Sequence, residues 1–380
     1  MPPEITIEAV SDLPRLKQLG GIWNGLLARS AVDNPYLTHE WFLSWWEAFG
    51  DKRDPLLLVA KRGKDIIGLA PLMRHSSFIP GCRTAGIEFA GAPDADYHDF
   101  IILEDREAVL GQFIRFIFET EHSPFLRLSE LSEDSPNVEA LNMILSRERS
   151  IRGRKRTIAT CRYLPVDAGL SWEEQFRRVK RKMRGDIKRL LNRYGEIGGL
   201  TLTRIGAEEI AENLPHLYRH HVERLVHKRK QSILENPAHR EFFSILGKRF
   251  ASRGWLEFLR LDSDSDFVGI HYGFRYNGRA YCYQHGHNQA LDRYSPGKMV
   301  LYHVVREAFA NGLSMVDLLR GADAYKSHWT DLFRTNYEFT FFGKGRSALG
   351  FYIWFDKVKP CLQRIAPLRL LAARRRRLDR

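Results

Sequence analysis

The sequence alternates between segments of helical and of strand periodicity. Tryptophans and phenylalanines recur at helical spacing over 38–50, a stripe typical of core packing. Alternating apolar runs bounded by Gly, Asp and Ser indicate strands, with a turn at Gly63. The first half is therefore predicted to contain, in order, helices over 12–29 and 38–50, strands over 56–60, 65–73, 86–91 and 97–103, a helix over 105–121 and a strand over 125–131.

The second half follows a similar order. Its predicted elements are strands over 255–261, 267–276 and 279–287, a helix over 295–312 and a strand over 314–319. DIIGLAP (65–71) and DFVGIHY (266–272) each enter a strand from an acidic turn. Because the order of elements repeats, we predict an α/β (α+β) protein with two related units, each a mixed sheet flanked by helices. The predicted divisions are an N-terminal unit (1–165), a helical connector packed on the second unit (166–250), a C-terminal unit (251–349) and a basic helical tail (350–380).

Composition and charge indicate the size of the protein and the chemistry of its partners. The 380 residues fit two domains, and 44% hydrophobic residues allow substantial cores. The net charge of +13 favours anionic partners, namely phosphates, nucleic acid, acidic lipid or an acidic protein, without choosing among them. The four widely spaced cysteines contain no CxxC, which argues against a disulfide framework or a structural zinc site.

Targeting signals are not evident in the sequence. MPPEITIEAV lacks the basic start and apolar stretch of a signal peptide. Nor does any window approach the roughly 18 apolar residues that span a bilayer. We therefore expect a cytoplasmic protein.

The predicted connector is strongly basic. Ser171 and Glu174 form an S-x-x-E capping box, which satisfies the first free N–H groups of a helix. The segment 177–193 then carries nine Lys or Arg against one Asp. A second basic run, Arg374–Arg377, ends the tail, and such runs are most often solvated faces.

The helix start at 295–298 is a candidate anion site. Ser295 suits the N-cap, and Pro296 suits the first helical position. Gly297 allows close approach to the backbone, and Lys298 adds charge, so the free N–H groups can bind an anion. An ordinary capped helix explains the same residues.

The strand at 279–287 places Tyr281, Tyr283, His285 and His287 on one face. Two histidines at i and i+2 can bind a metal, but a third ligand is not evident, and we expect no metal. Histidines packed among tyrosines in a polar cleft are the preferred interpretation. Either imidazole remains a candidate base.

Asp317 interrupts the predicted strand at 314–319. A carboxylate on a buried strand needs a partner, and Arg320, Lys326 or a backbone amide are candidates. Gly321 suits a turn of positive φ. From the residues alone, a structural salt bridge and an active-site acid explain Asp317 equally well.

Together these residues resemble a known family. DRYSPGKMVLYHVVREAFANGLSMVDLLRGADAYKSHW (292–329) is similar to the C-terminal half of the CelD/BcsL-type acyltransferases of the GNAT superfamily, relatives of the FemAB/FemX peptidyltransferases. The resemblance extends more loosely over about 30–345. The residues that match the family pattern, in order, are Asp317, Arg320, Gly321, Tyr325, Lys326 and Trp329.

The resemblance implies two GNAT-like units, the second being catalytic, with an acyl-CoA donor between two splayed strands and its pyrophosphate at the following helix start. It places the splay between 267–274 and 279–287. The implied donor-binding residues are Ile270, Tyr272, Arg293, Ser295, Gly297 and Lys298. Pro296 and Lys298 replace the glycines of the usual phosphate signature, which leaves room for an acyl-carrier or aminoacyl-tRNA donor.

The resemblance also implies roles in direct attack of an amine on a thioester. Asp317, His285 or His287 would accept the proton, and strand N–H groups over 269–272 would stabilise the oxyanion. Tyr325 would donate a proton to the thiolate. Lys326, Arg320 and Trp329 would hold the substrate, with Lys326 also in the catalytic set.

Three functions remain open at this point. The first is acyl transfer to an amine or hydroxyl of a small molecule or glycoconjugate, in exopolysaccharide or cell-envelope synthesis. The second is a FemAB-like transfer from aminoacyl-tRNA, the one reading that involves nucleic acid. The third is a non-enzymatic docking module for an acidic carrier protein or the anionic inner face of a membrane, where the protein would be peripheral.

Overall fold

The computed structural model describes residues 4–79, 82–147, 152–227, 229–264, 266–321 and 324–354. In this part of the chain, thirteen strands form one sheet with helices on both faces. The elements of the first half are β1 (Ile5–Val10), α1 (Leu13–Gln18), α2 (Gly20–Arg29), α3 (His39–Phe49), β2 (Asp54–Arg62), β3 (Asp65–Ile79), β4 (Cys82–Phe89), β5 (Ile101–Ile102), α4 (Arg106–Glu119), β6 (Phe125–Ser132), α5 (Pro136–Arg147) and β7 (Arg152–Pro165).

The second half begins with two helices and then follows the order of the first. Its elements are α6 (Trp172–Arg177), α7 (Arg181–Gly195), β8 (Thr201–Arg204), α8 (Ile210–His227), α9 (Pro237–Ser252), β9 (Leu256–Ser263), β10 (Asp266–Tyr276), β11 (Arg279–His287), α10 (Pro296–Ala310), β12 (Met315–Arg320), α11 (Ala324–Ser327), β13 (Phe333–Phe342) and α12 (Arg346–Ile353).

The strand order shows how the two halves join. It runs β1-β2-β3-β4-β6-β13-β7-β12-β11-β10-β9-β8, with β5 beside β3. Among the strands that the structure describes, only β4–β6 and β11–β12 pair in parallel, each through a crossover helix, α4 or α10. The last strand of each half is exchanged: β13 lies between β6 and β7, and β7 lies between β13 and β12.

This repeated order confirms the predicted fold class, a mixed sheet flanked by helices and built from two tandem units. The segment 166–250 differs from a purely helical connector. It contains β8, which pairs with β9 and begins the second series of strands as β1 begins the first. The division at residue 166 and the other predicted boundaries stay predictions.

Strand alternation divides the apolar residues between the two faces of the sheet. In β2, Leu57 and Val59 join the core that α3 and α9 cover, whereas Leu56 and Leu58 join the core under α4 and α5. A third cluster lies under α7 and α10 in the second half. The aromatic stripe of α3 is core, as expected; its Trp41 is 1% exposed.

Several local predictions need correction. The strand expected over 97–103 is reduced to Ile101–Ile102. The basic helix is broken, because α6 ends at Arg177 and α7 begins at Arg181; the capping box at Ser171 is present. Most of the predicted tail lies outside the described residues, which end within this segment at 354. Within the ranges that the structure describes, no helix has the length and apolar character needed to cross a membrane.

Candidate active site

The candidate site is an opening between β11 and β12. These strands pair from Arg279 with Met315 to Tyr281 with Asp317, and no pairing continues beyond that point. The sequence placed the splay between β10 and β11 instead. That expectation is wrong, because β10 and β11 stay paired from Tyr276 with Arg279 to Gly269 with His287.

A bulge in β12 shapes one edge of this opening. Leu319 has φ 59°, a left-handed conformation that is strained for a side chain of this size. The Asp317 carboxylate holds it there, because Oδ1 accepts a hydrogen bond from the Leu319 N–H at 2.8 Å. The carbonyls of Leu319 and Arg320 in turn accept hydrogen bonds from Lys326 Nζ, at 3.2 and 2.7 Å.

A cavity of about 510 Å³ fills the opening. Residues from both halves of the chain line it, so both halves build the site. The main contributors are Pro93, Asp94 and Asp96 from the loop after β4, His221 and Arg224 from α8, Cys282–His285 of β11, Leu318–Arg320 of β12, and Tyr325 and Lys326 of α11.

Arg320 joins the two halves at the cavity wall. Its Nε lies 2.6 Å from Asp96 Oδ1, and its Nη1 lies 2.8 Å from Glu130 Oε1. These two carboxylates raise the pKa of Arg320 further above its usual range, although burial opposes them. Burial outweighs Arg320 at the other end of the pair and raises the pKa of Asp96 to about 6. Asp96 is therefore a carboxylate that can exchange a proton near neutral pH.

His285 lines the cavity beside a second cation. Its Nε2 accepts a hydrogen bond from Arg224 Nη1 at 3.1 Å. Burial, followed by the charge of Arg224, lowers the pKa of His285 well below its usual value. The imidazole is therefore neutral, and its Nε2 lone pair is already used. As a proton acceptor, His285 is poorly placed.

The loop after β4 is held rigidly against β11. Asp94 accepts hydrogen bonds from Trp45 Nε1 and from His239, both at 2.9 Å. Its backbone carbonyl accepts one from Tyr283 Oη at 3.0 Å. The wall that carries Asp96 is therefore fixed by α3, α9 and β11 together.

Asp317 does not line the cavity. It is fully buried, and its Oδ2 accepts a hydrogen bond from Tyr97 Oη at 2.9 Å and lies 3.3 Å from Arg334 Nη1. Its cation is thus Arg334, and the expected partners Arg320 and Lys326 pair elsewhere. Burial raises the pKa of Asp317. The structure therefore favours a structural salt bridge, rather than an active-site acid, as the role of Asp317.

The first turn of α10 differs from the expected anion site. Ser295 has φ 49° and makes no side-chain cap, although Pro296 does occupy the first turn. A Cβ on Gly297 would lie 3.2 Å from His287 Nδ1, so this histidine packs closely against the Gly297 backbone. Lys298 Nζ donates to Asp186 at 3.1 Å, and the Arg293 carbonyl accepts from Arg193. The residues lining the 510 Å³ cavity include none of this turn.

Three other predicted residues are core residues. Ile270 and Tyr272 are fully buried on β10, and Tyr272 Oη donates to the Phe243 carbonyl at 2.9 Å. The N–H groups of this strand lie between β9 and β11 and pair with both. Trp329 is 1% exposed and packs beneath α10. None of the three contacts the cavity, so they are corrected to structural positions.

The predicted residues that the structure does bring together are His285, Arg320, Tyr325 and Lys326. Asp96 and Arg224 were missed, because they lie far from residue 320 in the chain and come together only through the fold. The first had a signal in the sequence: PDADYHD (93–99) carries three acids in seven residues between predicted strands. Among the residues described, no group of three or more His, Cys, Asp or Glu is placed to hold a metal ion.

Known proteins share this architecture. Residues 181–327 match the family described as "Acetyltransferase (GNAT) domain". FemX has a similar fold, with a TM-score of 0.61 and 10% identity over 91% of this chain and 98% of that one. L-PGS from Bacillus licheniformis gives a TM-score of 0.53 and 13% identity over 88% of this chain and 93% of that one. No curated protein matches the sequence.

The segment from α7 to α11 therefore resembles a GNAT domain, and the chain has a fold similar to that of FemX along most of its length. The domain match supports a transferase. The narrower assignment to the CelD/BcsL family stays a prediction.

Proposed function

We propose that the chain transfers an acyl group from an activated donor, held between β11 and β12, to an amine. The observation that carries this proposal is the opening beyond Tyr281 and Asp317, which contains a cavity of about 510 Å³. Diverging strand edges leave peptide groups without a neighbouring strand, and these can accept an extended donor and polarise its carbonyl.

Three cations line the cavity, and two of them favour a donor with anionic groups, because the third, Arg320, is paired with Asp96 and Glu130. Arg224 reaches the cavity from α8 and Lys326 from α11, whereas the first turn of α10 does not line it. Lys326 is only 5% exposed, and a buried ammonium attracts an anion more strongly than a solvated one. Arg224 and Lys326 therefore replace the helix start as the proposed anion-binding groups.

The transfer is proposed to be direct. Burial raises the pKa of the cavity thiol Cys282, so it stays protonated and a poor nucleophile. The amine nitrogen forms the bond to the acyl carbon, the bond from that carbon to the leaving sulfur or oxygen breaks, and the amine proton passes to the Asp96 carboxylate. Tyr325 is retained as the donor of a proton to the leaving group.

Asp317 is proposed to act as a positioning residue. It holds the Leu319 bulge, and the two carbonyls that follow hold Lys326. Loss of the carboxylate would displace this ammonium without removing a group that touches the donor.

Two donor classes fit the site. An acyl thioester such as acyl-CoA follows from the GNAT domain. An aminoacyl-tRNA is the second candidate, and one observation favours it: the turn that would hold a pyrophosphate carries Pro296 and Lys298, and Lys298 is paired with Asp186. An acceptor in exopolysaccharide or envelope synthesis rests on the family resemblance alone, as does acylation of a hydroxyl group.

The test compares these donors directly. The protein is incubated with acetyl-CoA, a longer acyl-CoA, or charged tRNA, and both thermal stability and donor consumption are measured. A ligand at 100 times its dissociation constant should stabilise the native state by about 2.7 kcal/mol. Arg224→Ala should abolish the response, while Lys248→Ala, an exposed cation on α9, should leave it unchanged.

The product that is released identifies the donor class. Release of free thiol supports the thioester donor, and deacylation of tRNA supports the second. If neither donor class binds, or if Arg224→Ala binds as tightly as the wild type, the proposed site is wrong. A docking module without catalysis would then remain.

A further inference from the structure

Two consecutive large apolar residues are exposed where β13 begins. Leu332 is 47% exposed and Phe333 is 50% exposed. Single exposed apolar residues are common on soluble proteins, but an adjacent Leu and Phe at the end of a loop form a small patch that water solvates poorly. The loop begins directly after α11, the element that carries Lys326 at the cavity.

Cations surround this apolar pair. The Arg162 guanidinium lies 5.7 Å from the centre of the Phe333 ring, and its Nη1 donates to the Thr330 carbonyl at 3.1 Å. Lys180 Nζ lies 2.6 Å from Asp331 Oδ1 and so stands at the same loop. Two further exposed cations, Arg181 and Lys182, follow Lys180 at the start of α7.

The outward face of α7 continues this charge. Its apolar residues Met183, Ile187 and Leu190 are buried against the second half, so its basic residues must face outward. Arg181, Lys182 and Lys188 are all exposed. We call Leu332, Phe333 and these three cations the 332–333 patch.

A groove of about 240 Å³ lies between the loop and segment 178–180, which links α6 to α7. Its lining includes the apolar residues Leu164, Val179 and Trp329 and also Leu332 of the exposed pair. Arg178 and Lys180 line it too, but each is paired with a carboxylate, Asp167 or Asp331, so the groove adds apolar surface beside the pair rather than charge.

We propose that the 332–333 patch docks the protein on an anionic lipid surface. Leu332 and Phe333 would enter the boundary between headgroups and acyl chains, and the cations of α7 would contact the lipid phosphates. This arrangement combines the two weak attractions that together make peripheral binding stable. Nucleic acid would use the cations and can stack a base on Phe333, but it gives no role to Leu332, whereas a lipid surface uses both apolar residues and the cations.

The test uses the full chain and vesicles of two compositions. Co-sedimentation should be strong with vesicles containing phosphatidylglycerol, weak with phosphatidylcholine alone, and reduced by salt. Leu332→Ser combined with Phe333→Ser should weaken binding by about tenfold or more. Arg181→Gln, Lys182→Gln and Lys188→Gln together should weaken it by about a hundredfold.

Matched controls separate the patch from general charge. Lys17→Gln, Arg115→Gln and Lys248→Gln remove three exposed cations elsewhere and should change vesicle binding far less. Ile22→Ser replaces an apolar residue that is 49% exposed in the first half and should have no effect. Thermal unfolding of every variant shows that it is folded.

Some outcomes overturn the proposal. One is that both patch variants bind the vesicles as tightly as the wild-type protein does. Another is binding to a tRNA pool that the charge variant loses and the Leu332/Phe333 variant keeps, with no binding to vesicles; the patch would then be a nucleic-acid surface.

Discussion

The two parallel strand pairs, β4–β6 and β11–β12, occupy equivalent places in the two halves. Each ends near a bulge whose central residue has φ 59°, Glu130 in β6 and Leu319 in β12. Two residues before each bulge lie Leu128 and Asp317, both fully buried. One backbone position thus carries an apolar side chain in the first half and a carboxylate in the second.

The neighbouring strands differ in the same way. Phe89 follows the last residue pair between β4 and β6, and its ring centre lies 5.2 Å from that of His98 and 5.0 Å from that of Phe100, so aromatic rings pack where this pairing ends. Beside Asp317 lies Tyr281, and a cavity lies beyond that pair. The shared scaffold therefore does not specify a site by itself. A few buried polar residues, at positions that are apolar in the other half, do.

Exchanging the equivalent residues should have the largest effect. Asp317→Leu removes the buried acceptor of Tyr97 Oη and Arg334 Nη1 and leaves Arg334 with its exposed partner Asp134, and Leu128→Asp buries a carboxylate among apolar residues. Each should lower the free energy of unfolding by about 3–5 kcal/mol in urea denaturation. Asp134→Asn, at the exposed partner of Arg334, should change it by less than about 1 kcal/mol. A stable Asp317→Leu protein would remove the structural role assigned to this carboxylate.

Removing the cation that joins the halves should have a smaller effect. Arg320→Met leaves Asp96 and Glu130 without their shared partner, and we expect a loss of about 2 kcal/mol at pH 7 because Arg320 is partly solvated. The loss should shrink at pH 5, since protonation of Asp96 removes one of the two charges. Arg156→Met, at the Glu338 pair, should cost under about 1 kcal/mol at either pH. An equal loss at both pH values would contradict this account.

The smallest effect concerns the pH dependence of transfer. If Asp96 accepts the proton, kcat/KM should fall about tenfold per pH unit below pH 6, where burial places the pKa of Asp96. Loss of folded protein through protonation of Asp96 would not produce this fall in kcat/KM. A raised native pKa means that the native state binds the proton more tightly, so the contribution of Asp96 to stability grows as the pH drops from 6 to 4. Asp96→Asn should lose the transition near pH 6.

The sequence predicted the elements whose pattern is local. Residues of β10, β11, α10 and β12 follow their periods closely, and their bounds agree with the structure to within about two residues. The missed strands β7 and β13 lie at the centre of the sheet. In β7 a cationic run, GRKR (153–156), obscures the apolar–polar alternation, and the partners of this strand lie 150 or more residues away in the chain.

The site was predicted only in part for a related reason. Tyr325 and Lys326 lie close to β12 in the chain, so the family pattern predicted both residues. Asp96 and Arg224 reach the cavity through the packing of other elements. Ile270 and Tyr272 were misplaced because the splay was assigned to the wrong pair of strands; period-2 alternation cannot distinguish a paired edge from an open one.

The exchange of β7 and β13 has a consequence for synthesis on the ribosome. A nascent chain that ends at residue 320 has β6 and β7 but lacks the strand that belongs between them. The first half therefore waits for residues made some 170 positions later, and its exposed strand edges need protection until then. Translation pauses or chaperone supply in that interval would govern how much of this protein reaches its native state.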